Sequence, residues 1–295
     1  MPDSIAPLSA PRVALVGFGE AGATFARAGR WGAKAALGYD IDPVRELAMV
    51  EHGIRPGASA AEALTEAELV LSLVTADAAL DAARDYAPLL PEGALWCDMN
   101  SVAPDTKREA AAAIELAGGR YVDVAVMAPV DKGMAVPLLV SGPHALAALP
   151  LLEALGFANV RVVGDEVGRA SAIKLCRSVM VKGMEALTAE MVLAAANAGV
   201  LDEVLASLDA SEKPMSWSER ADYNLERMLV HGERRAAEMY EASQMLQSLG
   251  ISAMMTENTV GWQQALGALS VDEIPDGLTA KVAAIRGTPD YQGKI

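Results

Sequence analysis

The chain is short of aromatic residues, cysteine, histidine and basic charge, and each shortage removes a class of protein. Aromatics make up 4% of the 295 residues against 52% apolar residues, so the core must be built from Ala, Val, Leu and Met. The two cysteines, Cys97 and Cys176, sit in apolar or helical surroundings without metal-like spacing; they read as reduced core thiols, with no disulfide and no metal site. A formal net charge of −15 argues against nucleic acid or an anionic membrane as the main partner, because both repel such a surface. No apolar run approaches the length of about eighteen residues that a spanning helix needs. Residues 1–10 also lack the basic start and apolar stretch of a signal peptide, so a cytoplasmic protein is expected.

What is present centres on one stretch. Val13-Ala14-Leu15-Val16 is a short apolar run that breaks into Gly17-Phe18-Gly19-Glu20-Ala21-Gly22 and then into helix-like sequence. A buried strand, a glycine turn and a helix N-terminus in that order can cradle a dinucleotide pyrophosphate. The first Gly permits the turn, the second lets backbone approach the phosphates, and the third lets helix and strand pack closely. A second apolar run over residues 35–39 ends in Asp40, at the spacing where a carboxylate accepts hydrogen bonds from the adenosine ribose. That carboxylate would repel a 2′-phosphate, so NAD is expected over NADP, with Arg45 nearby softening the preference.

From Arg12 to about Gly164 strand-like and helix-like segments alternate, the pattern of a parallel sheet wound on both faces. Strands are expected at residues 69–74, 94–98, 121–126, 137–140 and 160–163. Val74, Thr75, Asn100 and Ser101 follow strands and should line the cofactor at the carboxyl edge of the sheet. After Gly164 nearly everything reads as helix. The fold class is therefore α/β, an N-terminal Rossmann domain over residues 1–165 followed by an all-helical substrate and dimerisation domain over residues 166–295. The helix over residues 169–198 would be about 45 Å long, too long for so small a domain to cover, which predicts a homodimer through the C-terminal helices. Trp217 is read as a packing anchor in a loop before a helix over residues 220–249.

Two further motifs, with the glycine loop, carry a family likeness. Asp98-Met99-Asn100-Ser101-Val102-Ala103-Pro104 follows a strand, Gly168 stands six residues before Lys174, and both come after the Gly17 to Gly22 loop. This arrangement resembles the β-hydroxyacid dehydrogenases, a family that includes hydroxyisobutyrate and tartronate semialdehyde reductase types and is related to 6-phosphogluconate dehydrogenase. The resemblance implies a nicotinamide-dependent oxidoreductase in which Lys174 is the acid/base at a substrate hydroxyl. A lysine suits that task because its ammonium polarises a carbonyl and donates a proton, and its pKa falls readily when desolvated.

The chain departs from the family pattern twice. Where the family has Ser-Gly-Gly to cradle a substrate carboxylate, Met127-Ala128-Pro129 stands, and the proline offers no N–H. Beyond the lysine, Arg177 or Ser178 replaces the family's substrate-binding Asn; an Arg fork could hold the carboxylate instead. Lys174, Arg177, Ser178 and Lys182 share a helix face at steps of three, four and eight, and Met127, Ala128, Arg177, Ser178 and Lys182 are the candidate substrate contacts. These departures, with Lys182-Gly183 and Arg234 to Met239, resemble a less characterised branch of 6-phosphogluconate-dehydrogenase-like oxidoreductases with its own C-terminal domain type. Three functions follow: oxidation of a small 3-hydroxy acid or sugar-acid-like alcohol, imine reduction, and non-catalytic dinucleotide sensing.

Overall fold

The computed structural model of the protein describes residues 11–34, 36–211, 214–269, 271 and 273–289. Ala35, expected at the start of the second strand, lies outside the described residues. The chain divides into two compact units, with the boundary between Val179 and Met180.

The first unit is a single eight-stranded sheet in the order β3-β2-β1-β4-β5-β6-β7-β8. Its strands are β1 (Val13–Val16), β2 (Leu37–Tyr39), β3 (Arg55–Pro56), β4 (Leu69–Ser72), β5 (Leu95–Asp98), β6 (Arg120–Val126), β7 (Leu138–Ser141) and β8 (Val160–Gly164). Between them run α1 (Glu20–Gly29), α2 (Arg45–Glu51), α3 (Ala60–Leu64), α4 (Ala79–Tyr86), α5 (Pro104–Leu116) and α6 (Ala145–Leu155). β1, β4 and β5 are buried at every position, because each residue faces one of two helix-covered sides. Alternate residues separate accordingly. Leu15, Leu71, Cys97 and Val122 enter one core cluster, and Ala14, Val70, Trp96 and Tyr121 enter the other. The chain leaves β1 toward β2 and β3 on one side and resumes at β4 on the other, so a crevice opens where β1 and β4 end.

Two strands depart from the expected parallel arrangement, because β8 runs parallel to a reversed β7. β7 runs antiparallel to β6, with Asp123 opposite Ser141 and Val126 opposite Leu138. The residues between them form a 3₁₀ turn, Val130–Ala135, rather than the longer helical crossover that a parallel pair needs. The two-residue β3 and helix α6 were not legible as elements, β3 because its single pair of residues carries no period.

Helix α7 (Arg169–Ala198) spans the unit boundary, and α8 (Leu201–Ser211), α9 (Trp217–Ser248), α10 (Met254–Gly267) and α11 (Leu278–Gly287) follow. α9 starts earlier than its apolar period suggested, for a local reason. Ser216 accepts from the Glu219 N–H while Glu219 accepts from the Ser216 N–H, a reciprocal cap. Trp217 is thus not a loop anchor but an exposed residue of the first helical turn, with the Arg220 guanidinium over its ring. Cys97 is buried as expected, whereas Cys176 is exposed on α7; both are free thiols.

Within the second unit, α9 packs on α10 where Gly232 meets Gly267, so closely that a Cβ on Gly232 would stand 2.3 Å from the Gln263 carbonyl oxygen. Buried Glu190 closes the N-terminus of α10, accepting from the N–H groups of Met255 at 2.8 Å and Thr256 at 2.9 Å and from the Thr256 hydroxyl. Burial pushes this carboxyl up, but the three donors outweigh it and its pKa lies below the ordinary glutamate value. Because the folded value is depressed, the stabilisation is present above about pH 4.3 and is lost as pH falls through the folded value. Glu190→Gln should therefore cost about 1 kcal/mol at neutral pH, and urea titrations should show the difference from the parent closing in acid.

Candidate functional site

The crevice between the ends of β1 and β4 is built by the glycine loop. Gly17 has φ +89° and donates its N–H to the Tyr39 carbonyl at 2.9 Å. A Cβ there would lie 2.7 Å from the Leu73 carbonyl oxygen, so a larger residue would push the loop off β4. Gly22 abuts the Gly17 carbonyl. A Cβ on Gly19, by contrast, would have no atom within 4 Å, and this open backbone stands directly before the first turn of α1. Free approach to backbone beside a helix N-terminus is what a pyrophosphate requires, so the residues present fit a dinucleotide.

Asp40 shapes this loop from the end of β2. Its carboxylate accepts from the Phe18 N–H at 2.6 Å and from the Asp42 N–H at 2.9 Å. Phe18 itself turns its ring into the core. The resulting cavity, about 560 Å³, is lined by Gly17, Gly19, Glu20, Ala21, Asp40, Val74 and Thr75, all expected at the cofactor, together with Tyr39 and Tyr86 in edge-to-face contact. Asp42, Asp81 and Asp85 add negative charge to its wall, and Arg45 there is within 3.6 Å of Asp42. A cavity of comparable size lies at the amino ends of the strands, where Arg12 and Arg55 pair with Glu68 and Glu62.

A second centre lies at the end of β5, opposite the middle of β6. Asp98 closes β5 with its carboxylate fully buried. It accepts from the Asn100 N–H at 2.9 Å, the Asn100 side-chain amide at 2.8 Å and the Tyr121 hydroxyl at 2.7 Å. Burial, followed by the neighbouring Asp98 charge, raises the Tyr121 pKa well above its ordinary value, so the phenol stays a donor. The Asn100 amide also donates to Ser72 at 3.0 Å, which orients its carbonyl oxygen away from both acceptors; that oxygen is buried and has no hydrogen-bond partner among the described residues. Ser101, the next residue, accepts a hydrogen bond from Lys174 Nζ at 2.5 Å.

That contact depends on how α7 begins. Asp123, buried on β6, accepts from the N–H groups of Gly168 and Ser171, each at 3.1 Å, and from the Ser171 hydroxyl at 2.7 Å. Ser141 donates to the same carboxylate at 3.0 Å and accepts from the Ala170 N–H at 2.9 Å. A carboxylate at a helix N-terminus satisfies orphan donors and meets the positive end of the dipole. Gly168 must be glycine here: its φ is +96°, and a Cβ would stand 2.8 Å from Pro104 Cβ at the start of α5. Lys174 follows Ser171 by three residues, one turn along the same side of α7.

The proposed substrate contacts are more scattered. Met127 and Ala128 are half-buried; Met127 packs against the cluster of Ala125, Leu139 and Ala170, and Ala128 packs against the larger core. Arg177 and Lys182 are exposed and Ser178 is half-buried. Lys107 escaped notice in the sequence although it is fully buried and bridges the two buried carboxylates, 3.0 Å from Asp98 and 3.4 Å from Asp123. A signal existed: Lys107, Ala110, Ala111 and Ile114 form the buried stripe of α5, so the lysine occupies a core position.

Comparison with known proteins agrees with this geometry. Residues 12–164 match the NAD binding domain of 6-phosphogluconate dehydrogenase, and residues 195–266 match a domain of unknown function (DUF1932). A conserved hypothetical protein of Sinorhizobium meliloti is 36% identical, covers 93% of this chain and 95% of its own, and superposes with a TM-score of 0.59. A 3-hydroxyisobutyrate dehydrogenase of Pseudomonas aeruginosa is 28% identical over 194 residues, 61% of this chain and 62% of that protein. The V8 variant of an imine reductase from Myxococcus stipitatus, in complex with NAD+, shares the fold at a TM-score of 0.71, with 19% identity, covering 88% of this chain and 94% of that one. The chain belongs to the family of the NAD-binding domain of 6-phosphogluconate dehydrogenase, in a divergent branch whose C-terminal region is a domain of unknown function.

Proposed function

We propose that the protein is an NAD-dependent dehydrogenase that moves a hydride between nicotinamide and a small 3-hydroxy acid or sugar-acid-like alcohol, with Lys174 as general acid/base. The observation that carries this reading is the hydrogen bond from Lys174 to Ser101, which brings the α7 lysine onto the loop after β5. A bound dinucleotide supplies the hydride acceptor or donor. The Lys174 amine takes the hydroxyl proton during oxidation and returns it during reduction, while Ser101 keeps the Nζ in place. Arg177, Ser178 and Lys182 recur along α7 and draw in the anionic end of the substrate. Met127 and Ala128 offer apolar surface where the family has a carboxylate cradle. Residues 1–165 serve the cofactor in this reading, and residues 166–295 serve substrate and subunit contact.

Imine reduction is the second reading, favoured by the replacement of the carboxylate cradle with Met127-Ala128-Pro129, since an imine substrate need carry no carboxylate. Lys174 would then protonate nitrogen rather than oxygen. A homodimer is part of the proposal. α8 has no buried residue, and Leu193, Leu205, Leu208, Tyr240 and Trp262 of the second unit are each more than 40% exposed, apolar surface that a second copy would cover.

Three measurements test this. Lys174→Ala should lower turnover by about 10²- to 10⁴-fold while leaving NAD affinity nearly unchanged; an absorbance screen against hydroxy acids, sugar acids and cyclic imines supplies the substrate, and an active variant would remove the lysine from the chemistry. NAD should bind at least about tenfold more tightly than NADP, because the carboxylates of Asp40, Asp42, Asp81 and Asp85 surround the cavity that a 2′-phosphate would enter. Sedimentation should give twice the chain mass of 30.7 kDa, and a monomer would contradict the subunit contact.

A further inference from the structure

One buried charge has no part in the scheme above. Lys107 is completely enclosed, and its Nζ reaches three oxygens: the Asp98 carbonyl at 2.7 Å, the Asp98 carboxylate at 3.0 Å and the Asp123 carboxylate at 3.4 Å. The first is a hydrogen bond and the other two are ion pairs, so the buried charge is compensated inside the protein. The two carboxylates have different duties. Asp98 holds Asn100, next to Ser101, and Asp123 holds the first turn of α7, one turn before Lys174.

Without the cation these duties conflict. Two carboxylates linked through one ammonium would repel each other across a dry interior, where Coulomb forces are several-fold stronger than in water. β5 and β6 are adjacent strands with Asp98 directly opposite Asp123, so neither carboxylate can move away without leaving its own donors unpaired.

We infer that Lys107 is a positioning residue: its ammonium clamps Asp98 to Asp123 and thereby sets the separation between the Asn100-Ser101 loop and the α7 turn that presents Lys174. The inference rests on the reading of Lys174 as the acid/base, because the separation matters to function only if Lys174 acts there. Lys107 works through the two carboxylates that it contacts.

The test follows the Lys174 amine rather than turnover, so it needs no substrate and stands apart from the activity of Lys174→Ala. Pulse acetylation of the full chain by acetic anhydride, read by mass spectrometry, gives the labelling rate of Lys174 relative to exposed Lys132 in the same sample. Lys107→Met should raise that ratio about fivefold, the equivalent of one hydrogen bond lost at Ser101, and weaken NADH binding about tenfold through the released Asn100 loop. Lys107→Arg, which keeps the cation, should recover part of both effects. An unchanged ratio in folded Lys107→Met, or equal acceleration of Lys132 and Lys174, would overturn the inference.

Should Lys107→Met fail to fold, Ser171→Ala probes the same link from the helix side without altering charge. It removes the 2.7 Å bond to Asp123, and the Lys174 ratio must rise for the inference to stand. If the ratio rises as expected but Lys174→Ala retains full turnover, the clamp survives and the catalytic reading fails.

Discussion

The site depends on the hold that Asp123 exerts on the start of α7. A helix of thirty residues carries unsatisfied N–H groups at its first turn, and here a buried carboxylate on a central strand takes two of them while Ser141 takes a third. The first turn of the helix is therefore held beside the strand that carries Asp123. Lys174 gains its place from that anchor. Its contact with Ser101 is a consequence of helix geometry acting on an N-terminus that cannot shift.

The same part of the molecule shows how an acidic protein manages charge. At the surface of the cavity beside the glycine loop the carboxylates of Asp42, Asp81 and Asp85 stand exposed to water, where they cost little. Inside, Asp98 and Asp123 are paired through Lys107, and nearly every remaining oxygen site takes a backbone, hydroxyl or amide donor. The exception is the Asn100 carbonyl oxygen, buried beside the loop that follows β5 with no hydrogen-bond partner among the described residues. Leaving such an acceptor unpaired is expensive unless something else reaches it. Its position in the Asp98 to Pro104 motif suits a ligand group.

Local chemistry made much of the fold legible. Buried strands read directly as β-branched and leucine runs, since both faces of a parallel sheet are covered and no polar alternation interrupts them. The glycine loop was readable because each glycine answers a separate steric demand, and the long α7 was readable from its start after Gly168 to its stop at Gly199. β7 reversed direction where only a connection length, not a residue pattern, carried the information. Trp217 was misread because an apolar period marks where a helix buries a face, while the Ser216 cap marks where the helix begins.

The sequence by itself determined that a strand, a glycine turn and a helix N-terminus would form a dinucleotide cradle ending near Asp40, because these features depend on residues adjacent in the chain. It also placed Lys174 on the helix after Gly168. Only the tertiary structure decided that Lys174 meets Ser101, that Asp40 braces Phe18, and that Lys107 lies buried between Asp98 and Asp123. Those contacts join residues on separate elements, with 73 positions between Lys174 and Ser101 and 22 between Asp40 and Phe18. No local period encodes such pairs; they exist because the sheet order brings the ends of β1, β4, β5 and β6 to one edge.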